Sequence, residues 1–274
     1  TGIITNATLI RSIDIARRIG DFDAVTVSLD GATPESNDSH RGRGSFKYIV
    51  RGIKLLNEVG VKPYINTVVS AFNISSISSL TTFVENEIEA RGHRIGTVSK
   101  MGRGEGMNQG LHAWELYMEL HKELVDRVTD LSFEVLIPGL RNRGLLPSRN
   151  CGMGSGELFV DSTGNVYPCR LVTSSDCFGG NVRSKTLKEI LSTEPINSLR
   201  NFDVSSITAC NSCFIRWLCG GGCRGIHMSF SGDWRKNDNI FCRVLKHRMI
   251  TLLWLLEGHH DAISATQAYT PQSF

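Results

Sequence analysis

The chain has 274 residues, of which 41% are hydrophobic and 21% charged, an ordinary globular balance that excludes a disordered or fibrous polymer. Its 30 basic and 27 acidic residues are interspersed and leave a net charge of +3, too mild a bias to argue for nucleic acid. The apolar run near the end, Ile250 to Leu256, is too short to span a bilayer, and the start lacks the basic residues and apolar core of a secretory signal. No nucleic-acid or membrane partner is therefore expected, and the expected location is cytoplasmic.

In chain order, Ala24 to Leu29 is β-rich and stops at the turn signal Asp30-Gly31, as a buried parallel strand does. Phe46, Ile49, Val50, Ile53, Leu56 and Val59 then recur with helical period, with Ser45 placed to cap the helix and Gly60 to close it. Val61 to Ser70 reads as the next strand. Ile74, Ile77, Leu80, Phe83, Val84 and Ile88 read as a helix ending near Gly92. Repeated strand-helix units imply a parallel sheet with helices outside it. Trp114 to Val128 carries one more helical pattern, and Pro138, Gly139, Gly144 and Pro147 mark a connecting segment. Beyond it, Glu157–Val160 and Asn165–Cys169 flank Asp161-Ser162-Thr163-Gly164, a β-hairpin signal in which Gly164 permits the turn.

Seven of the eight cysteines fall in one ordered pattern. Cys151 is followed after twelve residues by Gly164 and after four more by Cys169; then come Cys210-x2-Cys213-x5-Cys219-x3-Cys223, and finally Cys242. Converging thiolates favour an iron-sulfur cluster or zinc over oxygen-seeking ions, and seven suggest two sites. A disulfide framework is the weaker alternative in a chain of this length without a secretory signal. Structural zinc is the stronger one, because C-x2-C pairs serve both metals. Gly220-Gly221-Gly222 would let the backbone wrap closely around a cluster. A phosphate loop is its rival, but no lysine or strand-to-helix context follows.

This cysteine order resembles the C-terminal SPASM domain of radical S-adenosylmethionine enzymes. Phe178-Gly179-Gly180-Asn181-Val182 and Leu187-Lys188-Glu189-Ile190-Leu191 resemble the segment joining its hairpin to its cysteine cluster. Thr5–Leu9, Ser28–Gly31, Arg41–Phe46, Ile65–Thr67 and Met101–Gly104 resemble, in order, later strands and loops of the radical S-adenosylmethionine barrel. The resemblance implies an α/β fold: a partial (β/α)6 TIM-like barrel, later strand-helix units only, followed by a small cysteine-rich α+β domain. The corresponding organisation is a partial barrel over residues 1–110, a connecting helix and linker over 111–149, the SPASM domain over 150–250, and a C-terminal helix and tail over 251–274.

The same resemblance implies two auxiliary 4Fe-4S clusters, an outer one on Cys210, Cys213, Cys219 and Cys242 and an inner one on Cys151, Cys169 and Cys223. The inner cluster's fourth position falls to Cys177, to a substrate thiolate or to neither, Cys177 then being a plain buried thiol. Ser28 and Asp30 lie at the carboxyl end of a strand, where barrel active sites gather. With Asn66 and Arg103 they are candidate contacts to S-adenosylmethionine; His40 and Arg41 are read in a polar loop. His112, His121, His227, His247, His259 and His260 lack ligand spacing with one another except for the terminal pair, and are read as structural or surface residues.

The family's C-x3-C-x2-C loop, which binds the catalytic 4Fe-4S cluster, has no counterpart here, since no cysteine precedes Cys151. An N-terminally truncated chain is therefore expected, with S-adenosylmethionine and a third 4Fe-4S cluster belonging to the intact protein. The implied activity is that of an oxidoreductase maturase modifying a ribosomally made peptide or protein by 5′-deoxyadenosyl-radical hydrogen abstraction, fed by a donor such as a flavodoxin or ferredoxin. Arg170, where sulfatase-maturing relatives carry an aspartate, argues against sulfatase maturation. The alternatives are a non-catalytic iron-sulfur electron-transfer protein and a zinc-stabilised binding module.

Overall fold

The computed structural model describes residues 1–98, Gly104 and 147–257. Tertiary contacts separate the chain into two compact units, with residues 1–98 in the first and 147–257 in the second. Trp114 to Val128 and the connecting segment before Pro147 lie outside the described residues. Among the described residues no helix is long and apolar enough to cross a membrane.

The first unit alternates strands and helices: β1 (Gly2–Thr5), α1 (Ile13–Gly20), β2 (Ala24–Ser28), α2 (Pro34–Arg41), α3 (Ser45–Glu58), β3 (Tyr64–Val69), α4 (Ile77–Glu87) and β4 (Gly92–Thr97). The strands form one parallel sheet in chain order, β1-β2-β3-β4. This is the α/β, partial-barrel architecture expected from the sequence. β1, α1, α2 and β4 are elements that the apolar period alone did not delineate. α2 explains part of this: Pro34–Arg41 contains no large apolar residue, and the helix is started by a reciprocal Thr33–Ser36 capping box with Pro34 in its first turn.

The pleat gives the sheet two unlike faces. Val25, Val27, Ile65 and Ile95 are packed with Ala16 of α1, Ile49, Ile53 and Leu56 of α3, and Leu80 and Val84 of α4 in one solvent-free cluster. Burying each large aliphatic side chain there contributes about 1.5–3 kcal/mol. The other face carries Thr26 beside Tyr64, and then Ser28, Asn66 and Arg94 in register across three strands. Arg94 lies over the Tyr64 ring at 4.6 Å.

α3 begins at Ser45, but Ser45 is not its cap. Gly44, in the left-handed region at φ 80°, is the residue before the helix and supplies no side chain. Asp38 caps it instead: its carboxylate accepts from the Phe46 amide at 2.8 Å, the Ser45 hydroxyl at 3.0 Å and the Gly44 amide. At the other end the expectation holds. Gly60, φ 82°, donates to Asn57 and Val61 donates to Leu56, closing the helix in a Schellman pattern.

The second unit contains a three-stranded antiparallel sheet of β5 (Phe159–Val160), β6 (Asn165–Tyr167) and β7 (Gly180–Asn181). The expected hairpin is present, with Phe159 opposite Tyr167 and Val160 opposite Val166. Gly164 takes φ 92° at its turn, and the Asp161 carboxylate accepts from the Thr163 and Asn165 amides, each at 2.9 Å. Short helices follow: α5 (Leu187–Leu191), α6 (Glu194–Arg200), α7 (Thr208–Asn211), α8 (Arg216–Cys219), α9 (Arg224–Ser231) and α10 (Asn239–Glu257). α10 runs unbroken through residue 250.

The cap on α3 has a pH signature. Burial works against the Asp38 carboxylate, but the hydrogen bonds from Phe46, Gly44, Ser45 and Asn37 win and hold its pKa below the ordinary value. Its stabilisation is therefore full above the unfolded carboxyl value, about 4, and is lost as pH falls through the depressed folded value. Asp38→Ala is expected to cost about 1 kcal/mol at neutral pH, read as a lower urea midpoint by circular dichroism. The gap from wild type should close in acid.

Candidate metal centres

The cysteines are placed by short helices and tight turns rather than by a sheet. Cys169 follows β6, and Cys210 lies in α7. Cys219 ends α8, and Cys223 is the residue before the first turn of α9. All eight cysteines are free thiols. Cys169 and Cys210 are buried in the unit's apolar cluster with Met153, Val172, Phe202, Val204, Ile207 and Trp234, against which Cys151 also packs.

Between Cys219 and Cys223 the backbone runs through three consecutive left-handed residues, Gly220, Gly221 and Gly222, at φ 60°, 83° and 68°. Each such residue costs roughly 1–2 kcal/mol with a side chain. A Cβ on Gly222 would also lie 2.5 Å from Leu245 and 3.3 Å from His227 Nε2. The triplet turns the chain back on itself within three residues. Its sharp curl brings Cys219 and Cys223 out on a single tight loop.

The electrostatics sort seven thiols into two sets. Burial pushes Cys169 up to about 12; the Leu171 amide opposes this, and the charges of Glu157, Cys223 and Cys151 add to it. Cys223 is raised first by burial, against the Ile226 and Gly225 amides, with Cys151 adding. Cys151, Cys169 and Cys223 are thus mutual neighbours. Cys219 is pushed by burial up to about 11, and Cys242, Cys210 and Cys213 add to it while the Gly221 amide opposes. Cys242 is raised by burial and then by Cys210 and Cys213, with Arg224 and Lys246 opposing. Cys177, 2% exposed, belongs to neither set: after burial, the charges bearing on it are Asp176 and Arg235.

Both sets are supplied with N–H donors aimed at sulfur. Backbone amides of Leu171, Gly221, Gly225 and Ile226 serve Cys169, Cys219 and Cys223. The Asn237 side-chain amide donates to Cys210 Sγ at 3.3 Å. Such donors favour the thiolate, and Cys223 gains further from the start of α9. Among the described residues no three Cys, His, Asp or Glu side chains converge tightly enough for a single metal ion. A four-iron cube binds each thiolate to a different iron and asks for a wider cage.

In the first unit, Asp30 is 4% exposed and fully committed. Its Oδ1 accepts from the Val68 amide at 2.8 Å, and its Oδ2 lies 2.8 Å from Arg41 Nε. Burial is the leading influence and leaves its pKa raised despite Arg41, Val68 and His40. His40 and Arg41 are in the last turn of α2, not in a loop. His40 Nε2 meets Ser70 Oγ at 2.6 Å. Ser28 and Asn66 are half-buried on the polar sheet face, next to each other in register. Arg103, His112, His121, His259 and His260 lie outside the described residues. His227 is fully buried, accepts from the Asp238 amide at 2.8 Å, and is held neutral at about 3 by burial and then by Arg224.

Residues 151–214 match the SPASM family, an iron-sulfur cluster-binding domain. Mycofactocin maturase MftC of Mycobacterium ulcerans (strain Agy99) is 30% identical over 230 residues, 77% of this chain and 58% of the relative. The chain carries the SPASM domain of radical S-adenosylmethionine enzymes. AdoMet-dependent heme synthase of Methanosarcina barkeri (strain Fusaro / DSM 804) is 26% identical over 259 residues, 86% of this chain and 72% of that protein. The fold is that of native anSMEcpe, solved with AdoMet and the Cp18Cys peptide bound, at TM-score 0.72 and 22% identity, covering 95% of this chain and 76% of that one. The chain spans 58% of the length of the Mycobacterium ulcerans maturase it matches.

Within this SPASM unit the cysteine spacing pointed to the thiols but not to Arg224, Asn237 or His227, which lie among and behind them. An arginine directly after Cys223 was the available signal. Arg94 was likewise missed, because only the sheet register aligns it with Ser28 and Asn66.

The raised thiols make a prediction for metal-free, reduced protein. Cys169, shifted from 9.0 to about 12, carries roughly a thousandfold less thiolate at pH 8 than an unshifted thiol. Iodoacetamide labelling followed by peptide mass spectrometry should find Cys169 among the last cysteines modified, with its rate rising steeply with pH. Early labelling at pH 8 would contradict the buried placement.

Proposed function

We propose that the whole protein is a radical S-adenosylmethionine maturase acting on a ribosomally made peptide or protein, and that this chain's second unit holds two auxiliary 4Fe-4S clusters. The observation that carries this reading is the division of seven thiols into two sets, each provided with N–H donors to sulfur. Cys210, Cys213, Cys219 and Cys242 would hold one cluster. Cys151, Cys169 and Cys223 would hold the other. The surroundings of Cys177, Asp176 and Arg235 rather than thiols, favour a fourth position left open to a substrate thiolate.

S-adenosylmethionine, reductively cleaved when bound, supplies the 5′-deoxyadenosyl radical for hydrogen abstraction. In this chain Ser28 and Asn66 offer polar groups from the sheet face on which such a cofactor would lie. Asp30 acts behind them as a positioning residue, tying β3 to α2 through Val68 and Arg41. Arg103 remains a proposed contact. A flavodoxin or ferredoxin would deliver electrons. The peptide-bound structure of like fold and the similarity to a maturase support the peptide substrate.

After anaerobic reconstitution, about eight irons with matching sulfide per chain are expected, four for each cube. Cys169→Ala and Cys213→Ala should each leave about four, because they touch different sets. Stoichiometric zinc without sulfide would overturn the cluster reading. For the substrate, co-expression of the native gene with short peptides encoded beside it should give a peptide that has lost hydrogen mass. No change in any such peptide would turn the reading away from peptides and toward the haem chemistry named for the Methanosarcina relative.

A further inference from the structure

Arg224 is the largest fully buried side chain of the described residues, at 0% exposure. A buried guanidinium is costly unless anions compensate it, and among the described residues no carboxylate pairs with it. Its hydrogen bonds go to neutral acceptors. Nη1 donates to the Trp234 carbonyl at 3.2 Å and to Asn237 Oδ1 at 3.0 Å; Nη2 donates to Asn237 Oδ1 at 3.0 Å and to the Gly221 carbonyl. Nε is buried without a partner. The groups that would face it as negative charges, once deprotonated, are Cys210, Cys151, Cys242 and Cys219, drawn from both sets.

The fork on Asn237 has a directional consequence. Two N–H groups of one guanidinium fix the amide oxygen, so the amide nitrogen must point the other way. There it meets Cys210 Sγ at 3.3 Å. Swapping the amide would set its NH2 against the guanidinium and its oxygen against the sulfur, which is unfavourable at both ends. Arg224 thus determines that Cys210 receives a hydrogen bond, and places a fixed positive charge behind the same sulfur.

We propose that Arg224 and Asn237 form a positioning relay that raises the reduction potential of the iron-sulfur cluster held by Cys210, Cys213, Cys219 and Cys242. The inference rests on the cluster reading above. One electron enters that cluster from an external low-potential donor, the ligating sulfurs take up no proton, and the added negative charge is met by the guanidinium and the Asn237 N–H. Hydrogen bonds to sulfur and local charge are the protein's means of tuning such a potential.

The test uses protein anaerobically loaded with iron and sulfide, with iron and sulfide counted and midpoints read by electron paramagnetic resonance during dithionite titration. The signal missing from Cys213→Ala identifies the cluster in question. Asn237→Asp, nearly isosteric, removes the N–H donor and neutralises Arg224. It should keep full iron while the oxidised-to-reduced ratio at fixed potential rises about tenfold, a fall of about 59 mV for one electron. Arg224→Lys keeps the charge but not the fork, and should fall between wild type and Asn237→Asp. Full iron in Asn237→Asp with unchanged midpoints overturns the relay, and loss of iron in that variant overturns it in favour of a purely structural amide. Wild-type protein that binds no iron and sulfide fails the cluster reading itself.

Discussion

Burying thiols in an apolar cluster holds their protons on, and the arrangement of the second unit follows from the need to reverse that. Cys169 and Cys219 show the cost, with burial the leading influence on both. A metal-bound thiolate needs compensation from cations and from N–H donors close to sulfur. The unit provides both, through Arg224, the Asn237 amide and the backbone amides after Cys169, Cys219 and Cys223. Regular secondary structure cannot supply such donors, since its amides are already spent. The cysteines accordingly sit at helix ends and in turns, where amides are free to face sulfur.

That requirement accounts for the glycine triplet more directly than flexibility does. Three left-handed residues in succession are a tight, fixed curl, and the Gly221 amide within it serves Cys219. Side chains there would cost conformational strain, and at Gly222 they would also collide with Leu245. The same curl presents the Gly221 carbonyl to Arg224. One loop therefore orders a sulfur and a cation.

The parallel sheet of the first unit was legible because β2, β3, α3 and α4 bury long aliphatic runs whose period can be counted. The same holds for the hairpin, marked by Asp161 and Gly164. Elements built on capping rather than on burial were not legible. α2 presents almost no apolar residue, and α3 is capped by Asp38 from seven residues before its start, a distance that no local motif covers. β4 is read only through its pairing with β3, since Gly92–Thr97 alternates weakly and carries a glycine at each end of the run Gly92–Gly96. Among site residues, thiols announce themselves by spacing, whereas Arg224 and Asn237 become meaningful only when folding brings residues thirteen apart into one hydrogen-bonded fork.

The buried arginine also constrains what the unit can be without metal. With thiols protonated, a guanidinium at 0% exposure has only carbonyl dipoles as partners and an orphaned Nε. That is a destabilising arrangement, because uncompensated buried charge is among the most costly features a core can hold. Deprotonating the thiols on metal binding turns the same arginine from a liability into a counter-ion. Metal binding and folding of this unit are thus coupled through electrostatics as well as through ligation. On the proposed two-cluster reading Arg224 faces both thiol sets at once, so that filling one set would lower the compensation left for the other and tie the two sites to a shared charge.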